Sequence, residues 1–274
     1  MVKCHGRFVW YELMTSDTEA AKTFYSAVVG WDTKEASIPG FAYTQFTSGG
    51  ASIGGLVGLP EEARKMGVRP SWIGYVGVTD IDAAANRVRQ RGGGIHVPPR
   101  DLPNTSRFAV VADPQRAMLA LLSGPLSGDS RGEQDALGHV GWHELLAADW
   151  EKVWDFYGDL FGWQKARVDN SAMGTYQFFS VDGRTIGGMF TKPPTAPVPY
   201  WLYYFNTGDI DAATKQVRVG GGQILNGPIQ VPGGNWVTQC TDPQGSIFAL
   251  MGKRSGTRLA KREYNTITVL KTTQ

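Results

Sequence analysis

Cysteine, histidine and excess charge are all scarce in this chain, and each shortage removes a class of function. Cys4 and Cys240 are the only cysteines in 274 residues, and no Cys-x-x-Cys spacing occurs, which argues against a disulfide framework and a zinc knuckle. Lys and Arg number 27 against 25 Asp and Glu, for a net charge of +2. That balance lacks the basic footprint of a nucleic-acid binder. No apolar run reaches the roughly 18 residues of a membrane span, and MVKCHGRFVWYEL passes directly into a strand-like pattern without a signal-peptide core. The expectation is a cytoplasmic protein with neither nucleic acid nor membrane as a partner. With 42% hydrophobic and 11% aromatic residues, there is ample material for packed cores.

What the chain does have is an internal repeat. Residues 6–31, GRFVWYELMTSDTEAAKTFYSAVVGW, align without a gap on residues 138–163, GHVGWHELLAADWEKVWDFYGDLFGW, with ten of 26 positions identical. Among the identities are Trp10/Trp142, Glu12/Glu144, Asp17/Asp149, Tyr25/Tyr157 and Trp31/Trp163. Further pairs follow with small shifts: Ile53-Gly54-Gly55 with Ile186-Gly187-Gly188, Asp80-Ile81-Asp82 with Asp209-Ile210-Asp211, and Asp113-Pro114-Gln115 with Asp242-Pro243-Gln244. The expected organisation is a first domain over 1–123, a linker over 124–137, a second domain over 138–252 and a basic tail over 253–274. The linker is rich in Ser, Gly and charge. The tail reads as a solvated segment whose YNTITVL stretch is β-prone.

Within each half the pattern predicts strand, helix and three strands, twice over. FVWYELM is β-branched and aromatic, Asp17 caps the helix after it, and Gly30 stops that helix. Asp80 to Arg91 is a second helix, ended by Gly92-Gly93-Gly94. Single helices among grouped strands imply an α+β class, each sheet open on one face and covered by helices on the other. Strict alternation places Phe8, Trp10, Glu12 and Met14 on one face of the first strand, and Val9, Tyr11 and Leu13 on the other.

The strand-Asp-helix stretches ending in FYSAVVGW and FYGDLFGW, the repeated DIDAA helix start, the Gly-rich helix end and the DPQ turn together resemble the vicinal-oxygen-chelate (glyoxalase/bleomycin-resistance/dioxygenase-like) superfamily. The resemblance covers about residues 6–123 and 138–252. It implies four βαβββ modules paired into two cups, and a divalent ion held by His, Gln or Glu at fixed strand positions. Carried over by position, those slots hold Trp10, Ile73 and Ala120 in the first half, and Trp142, Leu202 and Ala249 in the second, with Gly55 and Gly188 near the remaining slot. Indole, alkyl and methyl groups have no lone pair for a divalent cation. The expectation is therefore no metal and no other cofactor.

Other residues carry what chemistry remains. Glu12 and Glu144 lie two positions along the strand from Trp10 and Trp142, facing the same cup; desolvation there would suit a general base or a ligand acceptor, or the carboxylates are structural. Trp10, Tyr75, Trp142 and Tyr204 fall on cup-facing positions, as an aromatic ligand site or as core packing. His143 neighbours Glu144 but points to the opposite face, and it aligns with Tyr11. The sequence favours metal-independent binding or sequestration of an aromatic or apolar small molecule, by a monomer or homodimer. The alternative is a glyoxalase-like lyase or dioxygenase with displaced metal ligands or a Glu general base.

Overall fold

The computed structural model describes residues 4–38, 41–102, 106–124, 134–171 and 174–254. Most of the expected linker and nearly all of the expected tail lie outside these residues. The first half runs β1 (Phe8–Thr15), α1 (Thr18–Val29), β2 (Asp32–Ile38), β3 (Phe41–Ser48), β4 (Ala51–Gly58), a short α2 (Glu61–Lys65), β5 (Ser71–Gly77), α3 (Ile81–Gln90), β6 (Gly94–Asp101), β7 (Arg107–Ala112) and β8 (Met118–Ser123). The second half repeats the order as β9 (Val140–Ala147), α4 (Trp150–Phe161), β10 (Gln164–Ser171), β11 (Gly174–Val181), β12 (Arg184–Thr191), β13 (Tyr200–Thr207), α5 (Ile210–Val219), β14 (Gln223–Gln230), β15 (Trp236–Thr241) and β16 (Ile247–Gly252). Each half is one mixed eight-stranded sheet, in the orders β2-β3-β4-β1-β5-β8-β7-β6 and β10-β11-β12-β9-β13-β16-β15-β14. These are the expected α+β modules, two per half. The helix α2 between modules was not foreseen.

Local chemistry sets the helix ends. Asp17 accepts from Ala20 N at 3.0 Å and Asp149 from Lys152 N at 3.2 Å, each satisfying an amide the first turn leaves open. Gly30 and Gly162 follow the last turns with φ of 83° and 69°, a left-handed conformation costly for any side chain bearing Cβ.

One correction concerns β1. Its pairing with β5 slips between Phe8 and Trp10, which is a bulge that turns Phe8 to the opposite face from Trp10. Phe8 stacks on His143 with ring centroids 4.0 Å apart, whereas Val9 joins the cup cluster with Ile73 and Tyr75. Strict alternation fails there because one extra residue breaks the period of two.

The helix-bearing faces of the two sheets share a single apolar core. Leu13, Phe24, Tyr25, Trp31, Phe46 and Trp72 of the first half pack in one cluster with Leu145, Tyr157, Trp163, Trp201, Phe205 and Phe248 of the second. Polar groups cross this seam in reciprocal pairs. Trp72 donates to the Tyr25 hydroxyl at 2.8 Å, and Tyr25 donates to Asp242 at 3.1 Å. Likewise Trp201 donates to Tyr157 at 3.2 Å, and Tyr157 to Asp113 at 2.8 Å. Each aspartate also accepts backbone amides of its own Asp-Pro-Gln turn. Trp31 donates to Gly138 O at 2.7 Å and Trp163 to Gly6 O at 2.6 Å. At the centre Tyr11 meets its own counterpart, His143, with oxygen and Nε2 2.6 Å apart.

Removing a seam hydroxyl leaves a buried aspartate short of one donor, at about 1–3 kcal/mol. Tyr157→Phe is therefore expected to lower unfolding stability by that amount in a urea titration, with both halves melting together. His143 supplies a second check. Burial holds its imidazole down to about 4 against an ordinary value of 6.5. The unfolded chain binds the proton first as pH falls, so His143 contributes stability fully above pH 6.5 and loses it on the way down to about pH 4. The loss is about 3 kcal/mol. Stability of the wild type minus that of His143→Gln is expected to fall by this amount across the window.

Candidate functional site

The outer faces of the two sheets, turned away from the shared core, form the cups. In the first, Val9, Ile73, Tyr75, Ala120 and Leu122 cluster with Trp10, Phe108 and Val110. In the second, Leu146, Leu202, Tyr204 and Ala249 cluster with Trp142, Phe190, Tyr200 and Val237. All four expected aromatic residues, Trp10, Tyr75, Trp142 and Tyr204, therefore come to the cups, together with the positions of the family's metal ligands.

Each cup is floored by a carboxylate held by phenols. In the second, Tyr176 donates to Glu144 Oε1 and Tyr204 to Glu144 Oε2, both at 2.8 Å. Trp142 donates in turn to the Tyr176 oxygen at 2.9 Å, and Gln239 to the Tyr204 oxygen at 3.2 Å. In the first, Tyr75 donates to Glu12 Oε1 at 3.0 Å, Tyr43 is also hydrogen-bonded to Glu12, and Trp10 donates to Tyr43 at 2.9 Å. Burial pushes both glutamates above the usual carboxylate range, against the lowering effect of their phenol partners. Burial and the neighbouring carboxylates push the phenols up as well, so they stay protonated donors.

Tyr43 and Tyr176 are absent from the residues singled out by sequence. They stand 133 positions apart, the same spacing as Ile53-Gly54-Gly55 and Ile186-Gly187-Gly188, and that shared spacing was the available signal. Their rings explain the glycines. A Cβ on Gly55 would lie 2.0 Å from the Tyr43 hydroxyl, and one on Gly188 2.0 Å from Tyr176 Cε1.

A divalent ion does not fit this arrangement. Trp10, Ile73 and Ala120, like Trp142, Leu202 and Ala249, offer no donor, and a tyrosine ring covers the glycine slot in each cup. One carboxylate among protonated phenols remains, short of the three protein ligands of a catalytic zinc site. Among the described residues no three His, Cys, Asp or Glu side chains converge on one point. His143 and Glu144, adjacent in sequence, face the seam and the cup respectively.

A sequence model described as Glyoxalase/Bleomycin resistance protein/Dioxygenase superfamily matches residues 7–121 and 136–250. The chain belongs to that superfamily. It is 28% identical over 245 residues to CFP32 of Mycobacterium bovis, named as a candidate glyoxylase, covering 88% of this chain and 93% of that one. It is also 28% identical over 266 residues to the anthracycline biosynthesis protein DnrV of Streptomyces peucetius, covering 92% and 94%. Among solved structures, the Mn(II)-bound glyoxalase of Novosphingobium aromaticivorans superposes with a TM-score of 0.61 at 14% identity, covering 94% of this chain and 86% of that one. The 2,3-dioxygenase LapB of Pseudomonas sp. KL28 gives 0.60 at 12% identity, covering 95% and 96%. These two likenesses carry the fold of this glyoxalase-superfamily chain. Among the described residues no helix is long and apolar enough to cross a membrane.

A methyl group on Gly188 has no room beside the Tyr176 ring. Gly188→Ala is expected to displace that ring, cost about 1–3 kcal/mol, and shift the indole N–H resonance of Trp142 as it loses the Tyr176 hydroxyl. An unshifted spectrum with unchanged stability would mean that the ring does not lie over the glycine.

Proposed function

We propose that this glyoxalase-superfamily protein binds an aromatic or apolar small molecule in its cups without a metal ion. The observation that carries this reading is the hydrogen-bonded Trp-Tyr-Glu-Tyr floor standing where metal-dependent relatives keep their ligands. Aromatic walls supply stacking surface, and the glutamate is an acceptor for a ligand hydroxyl or N–H. A relative named for anthracycline biosynthesis supports an aromatic ligand, since anthracyclines are fused-ring phenols.

One observation favours a second reading, an enzyme using Glu12 or Glu144 as general base. Burial raises both carboxylates toward the neutral range, where a base works best. In that reading the phenols hold the carboxylate in place and deliver protons to a developing oxyanion. Binding is preferred because the two tyrosine hydrogen bonds stabilise the charged form of Glu144 and so weaken it as a base, while its oxygens keep lone pairs for a ligand donor.

Tryptophan fluorescence of chelator-treated protein tests the reading, with an anthracycline as probe. Saturable quenching is expected, weakened about fivefold at each cup by Trp10→Ala with Trp142→Ala, since the one stacking contact each cup loses is worth about 1 kcal/mol. Binding that vanishes with chelator and returns with a divalent ion would overturn it. Turnover of a glyoxalase or dioxygenase substrate, abolished by Glu12→Gln with Glu144→Gln, would select the second reading.

A further inference from the structure

The seam contains a cleft of about 370 Å³ that opens between the two halves and meets the first cup's cluster only at Cys4 and Val9. Its volume lies within the range of small-molecule pockets. Phe8, Trp31 and Trp72 give it an aromatic wall from the first half, Val140, Val181 and Ile186 an aliphatic one from the second, and Tyr11 and His143 line it as a polar pair.

The proton positions on that pair follow from their partners. His143 Nδ1 lies 2.7 Å from the carbonyl oxygen of Ile186, which can only accept, so Nδ1 carries the hydrogen. Nε2 is then an acceptor, and the Tyr11 hydroxyl donates to it at 2.6 Å. The Tyr11 oxygen keeps lone-pair capacity, while its hydrogen is spent.

Several other side-chain donors on the cleft wall are committed in the same way. The Trp31 indole N–H goes to Gly138 O and the Trp72 indole N–H to Tyr25. The Ser52 hydroxyl goes to Gln45 at 3.0 Å, and a Gln134 amide hydrogen to Gly141 O at 2.8 Å. At the rim Arg7 is paired with Asp182 at 2.8 Å and Arg184 with Asp135 at 3.6 Å. The cleft thus presents flat apolar surface with the Tyr11 oxygen as an acceptor, and His139, Arg7 and Arg184, whose side chains carry further N–H groups, are also among its lining.

We propose that the cleft between the two halves is a second binding site, taking a planar aromatic molecule that brings its own hydrogen-bond donor, such as a fused-ring phenol, to the Tyr11–His143 pair. This site is independent of the cups and of whether they bind or catalyse. A ligand seated there touches both halves at once.

The probe is 2-naphthol, followed by ¹H–¹⁵N spectra of the full chain. Saturable movement of the His143 imidazole signals, assigned with His143→Gln, is expected below about 100 µM ligand. The cup is read separately through the indole signals of Trp10 and Trp142, so failure of either site is seen on its own. Ser52→Trp, placing a large ring in the cleft, is expected to abolish the His143 response and leave the cup signals in place. The methyl ether of 2-naphthol, which lacks the donor, is expected to bind at least about tenfold more weakly, the value of one hydrogen bond to a buried acceptor. A His143 signal that does not move with 2-naphthol overturns the site, and needs no variant. Equal binding of phenol and ether, or a response unchanged in folded Ser52→Trp, overturns it equally.

Discussion

Everything in this molecule depends on hiding the helix-bearing face of each sheet. The two long helices of each half do not cover that face alone; the remaining apolar surface is covered by the other half, so Tyr25, Trp31, Phe46 and Trp72 share one core with Phe205 and Phe248. Each buried aromatic side chain removes about 150–250 Å² from water, at roughly 25 cal/mol per Å². A half standing alone would expose several such rings in one patch, well beyond what soluble monomers tolerate. The duplication is therefore a mutual cover, and the tandem halves share one apolar core.

The polar crossings show how that cover is aligned. Apolar packing has no direction, and a slip of one residue along the seam would cost it little. The Trp-Tyr-Asp relays do have direction: the first helix of each half reaches the Asp-Pro-Gln turn of the other, and a slip would strand a buried carboxylate. Closing the backs leaves the opposite faces for function. There the floors repeat, carboxylate for carboxylate, while the walls diverge: Phe190, Tyr200 and Gln239 of the second half stand where the first has Val57, Ser71 and Val110. The carboxylate and its two phenols thus repeat, whereas the walls, and with Gln239 one donor to the second floor, do not.

The repeat made the modules, their caps and their turns legible, because the same signals occur twice and each occurrence checks the other. Glu12, Glu144 and the four cup aromatics were legible from strand period and register. Tyr43 and Tyr176 were not, since a tyrosine on a strand reads as packing until its neighbour is known to be a glycine one strand away. The seam was hidden for a related reason. A repeat states that two units are alike and says nothing of which faces meet, so Tyr25 and Tyr157 read only as an identical pair, and their partners Asp242 and Asp113 as turn residues. The β1 bulge escaped because a period of two carries no sign of an inserted residue.

The glycine slot ties the polar floor to the missing ligands by simple sterics. Tyr43 reaches Glu12 only because Gly55 has no side chain, and Tyr176 reaches Glu144 only across Gly188. A metal-ligating side chain at either glycine and the tyrosine ring above it would claim the same volume. A carboxylate without the ring would lose one of its two phenol donors while remaining buried, which is costly unless a cation replaces that donor. The cup can thus be built around a cation or around the phenol-held glutamate, and intermediate versions are penalised on both counts. Rebuilding a metal centre here would require donors at Trp10, Ile73 and Ala120 together with removal of Tyr43, because a new donor alone is a buried polar group without its partners, and removal of Tyr43 alone takes a partner from Glu12 and from the Trp10 indole.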